Sequence, residues 1–106
     1  MRLVFACIAI LGGSLAASAQ DLKAGRQFAP ACQGCHGLDG LSKQPDAPNL
    51  AAQPAIYLVK ALKEYRDGVR KHEQMSVLAK ALTDKEIADV AAYYEAIEIE
   101  VVKKPE

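Results

Sequence analysis

The chain has 106 residues, and its 13 Lys and Arg side chains balance 13 Asp and Glu. That length supports one small domain. The charge balance excludes a basic footprint for nucleic acid and an acidic disordered tail.

The first nineteen residues are of a different kind. Arg2 places a positive charge ahead of an apolar run from Leu3 to Leu15, interrupted by Gly12, Gly13 and Ser14, and Ala17-Ser18-Ala19 presents small residues for cleavage. The run falls short of the ~20 residues of a permanent membrane helix. Residues 1–19 therefore read as a cleaved secretory signal, and residues 20–106 as a domain exported to the periplasm or its equivalent, with no permanent membrane span. Cys7 lies inside the run with almost no hydrophobic sequence before it, which disfavours lipidation.

Past the signal, the periodicity is helical almost throughout, so the fold class expected is all-α. Asp21 caps a first helix running through Ala24 and Phe28 to about Ala29, where Pro30 kinks or ends it. Residues 37–53, rich in Gly, Pro, Asp, Asn and Ser, predict an irregular loop. A second helix starts near Pro54, carries Ala55, Leu58, Val59, Leu62 and Tyr65 on one face, and stops at Gly68. A short helical turn is expected over 77–82. Thr83 and Glu86 form a capping box for the last helix, with Ile87, Val90, Ala91, Tyr94 and Ile97 at helical intervals. Past the signal, 14 of the 40 apolar residues are alanines, and the large aromatics are few: Phe28, Tyr57, Tyr65, Tyr93 and Tyr94. Domains with so thin a core often recruit a disulfide, a metal or a large cofactor to supply buried surface.

The chemistry concentrates in Cys32-Gln33-Gly34-Cys35-His36. Cys-x-x-Cys-His is the signature of covalent c-type haem attachment. Two thiols on one tight turn reach the two vinyl groups of a porphyrin, and the following imidazole binds iron from one face. Gly34 leaves room for that approach. A thioredoxin-like pair would need a strand before the helix, and adjacent Cys35 and His36 are badly placed for two corners of a zinc tetrahedron. A plain disulfide would close too short a loop to stabilise much and leaves His36 unexplained. For the second axial position, Met75 and His72 are the candidates beyond the signal. Met75, following the polar run 70–74 and reaching inward from a loop, is favoured over His72. A thioether raises the reduction potential where a second imidazole would lower it.

With these residues in place, the sequence resembles the class I cytochromes c, and in particular small bacterial monohaem cytochromes of the c4 or c553 type. The resemblance rests on Cys32-x-x-Cys35-His36-Gly37, Pro48-Asn49-Leu50, the helix with Tyr57 and Leu62, the run Tyr65 to Arg70, Met75 and Ala91-Ala92-Tyr93. It implies helices packed around one covalent haem c, with Pro48 offering its carbonyl to the axial histidine. It also implies a crossing of first and last helices through Ala24, Phe28 and Tyr93. Pro30 departs from the family pattern and predicts a distorted helix before Cys32. One motif, not two, excludes the dihaem form.

The function expected is one-electron carriage between redox partners, without enzymatic activity, since two filled axial positions leave no site for substrate. Docking would be transient, at a haem edge rimmed by charges such as Lys43, Lys71 and Lys80. Two alternatives keep the haem: a cytochrome subunit of a flavin-dependent or sulfur-oxidising complex, and a gas-binding protein with a weak sixth ligand.

Overall fold

A computed structural model describes residues 20–106, and the signal expected over 1–19 lies outside them. The described residues form helices and loops without strands: α1 (Leu22–Phe28), a 3₁₀ turn (Ala29–Ala31), α2 (Gln33–His36), α3 (Ala55–Arg66), α4 (Glu73–Lys80) and α5 (Asp84–Glu95).

Each boundary has a local cause. Extended Asp21 accepts the amides of Lys23 and Ala24, 2.9 and 3.1 Å away, and so starts α1. Pro30 has no amide to donate, and the chain tightens there into a 3₁₀ turn that the Cys32 amide closes on Ala29 O at 2.9 Å. The helix restarts as α2, so the distortion expected of Pro30 takes the form of this single tight turn. At α3 the free amide of Ala55 is capped from a distance, by Glu95 Oε1 of α5 at 2.8 Å. Gly68, at φ +78°, turns the chain away after α3. Arg66 then ties that end to the start of α5, through Asp84 at 2.7 Å and Leu82 O at 3.2 Å.

Thr83 and Glu86 cap α5 reciprocally, as their spacing predicts. The helix ends at Glu95 rather than reaching Ile97, which packs half-buried against the core from beyond the end. The fourth helix departs further from expectation: it runs Glu73–Lys80, starting four residues before the turn expected at 77–82.

α5 is the centre of the packing, against α1 on one side and α3 on another, with α4 on α3. At the α1–α5 crossing the small residue is Gly25, not Ala24. A Cβ on Gly25 would stand 2.1 Å from Asp89 O and 2.8 Å from Tyr93 Cβ, whereas Ala24 is one position off the contact and only half-buried. Both residues are small, so composition did not separate them; the register of the crossing did. Phe28 and Tyr93 pack half-buried against the core as expected.

The core is thin. Among the described residues, the large side chains that are fully buried are Tyr94 and Ile87, and the rest of the buried apolar set is mainly alanine. Meanwhile Ile56, Val69 and Val77, on α3, the following loop and α4, are 84%, 77% and 72% exposed.

Gly25→Ala puts a methyl against backbone that cannot rotate aside, so it should cost about 1–3 kcal/mol in urea unfolding; an unchanged midpoint would contradict the crossing geometry. Asp89, buried beside it, accepts the Asp21 amide at 3.0 Å and pairs with Lys85. The Lys85 ammonium first, and the Asp21 amide second, hold its carboxyl below the usual carboxylate range. A depressed carboxyl stabilises the fold above its unfolded value, about pH 4, and that contribution disappears as pH falls through the lower folded value. Asp89→Asn should therefore be less stable than wild type at neutral pH, with the gap narrowing below about pH 4 in urea titrations; a gap independent of pH would contradict the pairing.

Candidate haem site

Helix geometry explains the spacing of the motif. Positions 32, 35 and 36 stand three and four residues apart, and the His36 amide bonds Cys32 O at 3.0 Å, so both thiols and the imidazole share one turn. Cys32 and Cys35 are free thiols, each half-buried. Burial pushes the Cys32 thiol up to about 11, so it is protonated at neutral pH. A Cβ on Gly34 would meet no protein atom within 4 Å, so the space beside this turn is open.

His36 is buried, and its Nδ1–H donates to Pro48 O at 2.8 Å. The acceptor is a carbonyl, so the proton sits on Nδ1 and Nε2 keeps its lone pair. The loop at 37–53 is built to deliver that carbonyl. Gly37 and Gly40 turn at φ +76° and +72°, and Gly40 O receives the Leu50 amide at 2.8 Å. Asn49 Oδ1 accepts the Ser42 amide at 2.7 Å, folding the loop on itself next to Pro48.

α5 secures the other side of His36. Tyr94 donates its hydroxyl to Gly37 O at 3.0 Å, and Tyr93 donates to Leu38 O at 2.6 Å, so the two residues after His36 are held by adjacent tyrosines. Burial, above all, keeps the Tyr94 phenol from ionising until well above its ordinary range. Sequence reasoning used these tyrosines only as core and crossing aromatics. The available signal was that a buried phenol needs a hydrogen-bond partner.

The two candidates for the second axial position stand differently from each other. Met75 is half-buried in the first turn of α4, not in a loop as the polar run before it suggested. It belongs to the one helix that His72 caps. His72 is exposed and extended, and its Nδ1 accepts the amides of Gln74 and Met75, both at 3.3 Å. A nitrogen that accepts two amides carries no proton, so the neutral form of this ring has its proton on Nε2. The two histidines thus hold opposite tautomers. His36 has Nε2 free to bind a metal, whereas the lone pair of His72 is spent on the backbone.

An iron porphyrin fits this donor set. Two thiols and an imidazole share one turn, the space beside that turn is open at Gly34, and a thioether stands on α4. Among the described residues there is no His, Cys, Asp and Glu cluster suited to a bare metal ion.

Comparison with known proteins gives the same result. The sequence model for cytochrome c matches residues 22–97. Cytochrome c-554(548) of Halomonas halodenitrificans is 45% identical over 83 residues, covering 76% of this chain and all of that protein. Reduced cytochrome c4 from Pseudomonas stutzeri superposes with a TM-score of 0.68 at 34% identity, covering 74% of this chain and 46% of that one. The thiosulfate dehydrogenase TsdBA of Marichromatium purpuratum superposes at 0.69 with 32% identity, over 80% of this chain and 20% of that one. This chain therefore spans about half of the cytochrome c4 chain and a fifth of the dehydrogenase. The matched stretch runs from the first helix past the last and includes the Cys32, Cys35 and His36 turn, so the chain belongs to the cytochrome c family and its cofactor is covalently attached haem c.

Proposed function

We propose that this chain is a single-haem electron carrier of the periplasm, exported by a signal at 1–19 and working as residues 20–106. Cys32 and Cys35 form the thioethers, His36 Nε2 and Met75 Sδ are the axial ligands, and Pro48 orients the histidine. The haem supplies a one-electron ferric–ferrous couple. The observation that carries the reading is the contrast between the two rings: His36 Nδ1 bonds Pro48 O and leaves Nε2 unengaged, while His72 Nδ1 accepts two backbone amides. By elimination the thioether of Met75 takes the second axial position, where a soft ligand favours ferrous iron. With both positions filled by side chains, the protein offers a substrate no coordination site, which supports carriage over catalysis. Exposed Lys43, Lys71 and Lys80 suit brief docking to redox proteins, for which small contacts suffice.

A second reading, the cytochrome subunit of a sulfur-oxidising complex, is favoured by the likeness to thiosulfate dehydrogenase and by the exposed Ile56, Val69 and Val77. Purification as a lone monomer supports the free carrier, and co-purification in a fixed stoichiometry supports the subunit.

The ligand assignment is tested by optical spectra of the oxidised and reduced holoprotein. Met75→Ala should lose the red-region band of methionine-bound ferric haem and bind carbon monoxide readily when reduced, whereas His72→Ala should keep the band. A wild type that lacks the band and binds carbon monoxide rapidly would overturn the assignment in favour of gas binding.

A further inference from the structure

His72 is the one side chain of the original ligand pair that the proposed function leaves without a task, and its surroundings are more fully organised than a surface residue requires. We propose that His72 is a positioning residue for Met75: its imidazole is the N-cap that fixes the first turn of the helix carrying the thioether. The inference rests on the reading that Met75 binds iron.

Four contacts converge on it. His72 Nδ1 accepts the Gln74 amide and the amide of Met75 itself, each at 3.3 Å. In return the His72 amide donates to Ser76 Oγ at 2.9 Å, and His72 O accepts the Ser76 amide at 2.9 Å, so residues 72 and 76 close the turn from both ends. The ring is placed by α3, where Tyr65 meets it edge to face with centroids 6.4 Å apart. The tyrosine is itself covered by the Arg70 guanidinium, 4.8 Å from the ring centre.

The consequence is specific to the ligand. α4 has eight residues, too few to hold its own first turn without an acceptor for the leading amides. Two of those amides belong to Gln74 and Met75, so the cap acts on the backbone from which the thioether projects. Fraying this turn would let Met75 leave iron more readily without removing any ligand atom. Asn is among the preferred N-cap side chains and has no imidazole, so it separates capping from iron binding by His72.

The experiment is an imidazole titration of the oxidised holoprotein, following loss of the red-region band in wild type, His72→Ala, His72→Asn and Met75→Ala. His72→Ala should show the band without imidazole and lose it at a concentration lower by on the order of five-fold, the typical worth of an N-cap. His72→Asn should return the midpoint to that of wild type. A His72→Ala midpoint equal to wild type, or a His72→Asn midpoint as low as that of the alanine variant, overturns the positioning role alone. Loss of the band in both His72 variants before imidazole is added would mean that asparagine does not restore what the imidazole does, which overturns the capping role. A wild type without the band whose spectrum changes in His72→Ala but not in Met75→Ala would mean that the ring itself binds iron, which also overturns it. A wild-type band that survives in Met75→Ala overturns the ligand reading, and the positioning role with it.

Discussion

The hydrogen bond from His36 Nδ1–H to Pro48 O decides what the rest of the site can do. An imidazole offers a metal one lone pair, and which nitrogen offers it depends on where the proton rests. Here a backbone carbonyl holds the proton on Nδ1, which leaves the lone pair on Nε2 and fixes the plane of the ring. The bond crosses twelve residues, so it exists only if the loop between them returns Pro48 to the histidine. The two positive-φ glycines, the Gly40 carbonyl receiving Leu50 and the Asn49 side chain receiving Ser42 all serve that return.

The last helix supports this arrangement from outside the loop. From α5, Tyr93 and Tyr94 reach the two carbonyls after His36, Glu95 caps α3, and Asp89 binds the amide of Asp21 at the start of α1. Four side chains of one helix thus secure the other elements through polar bonds, in a domain whose buried apolar side chains are mostly small. Such a framework sets the loop and the cysteine turn in place. Small buried side chains leave a domain of this size short of buried apolar surface, and a covalently attached haem is one way to supply it.

Much of this was legible in the sequence. Side-chain chemistry acts locally at the Asp21 cap, the Thr83 and Glu86 box, Gly68 and the Cys-x-x-Cys-His turn, and each could be read from neighbours within four residues. What escaped depends on distance or register. Gly25 and Ala24 are equally small, and only the approach of Asp89 O tells them apart. The start of α4 is not legible locally because histidine is an uncommon cap, so the polar run up to Gln74 predicts a loop where the structure has Met75 within a helix. The tyrosine hydroxyls find their acceptors 55 and 57 residues away, beyond any local pattern. Pro48 came from family resemblance alone, and the structure supplies its hydrogen bond to the histidine ring.

The opposite tautomers of the two histidines are the point at which site, ligand choice and helix cap meet. They can be observed directly by long-range proton–nitrogen NMR on the reduced, diamagnetic holoprotein with labelled histidine. The expected result is a proton on Nδ1 of His36, protected from solvent exchange, and a proton on Nε2 of His72 with Nδ1 unprotonated. A His36 ring without its Nδ1 proton, or a His72 ring protonated at Nδ1 in its neutral form, would contradict the assignment of iron binding to the one and helix capping to the other.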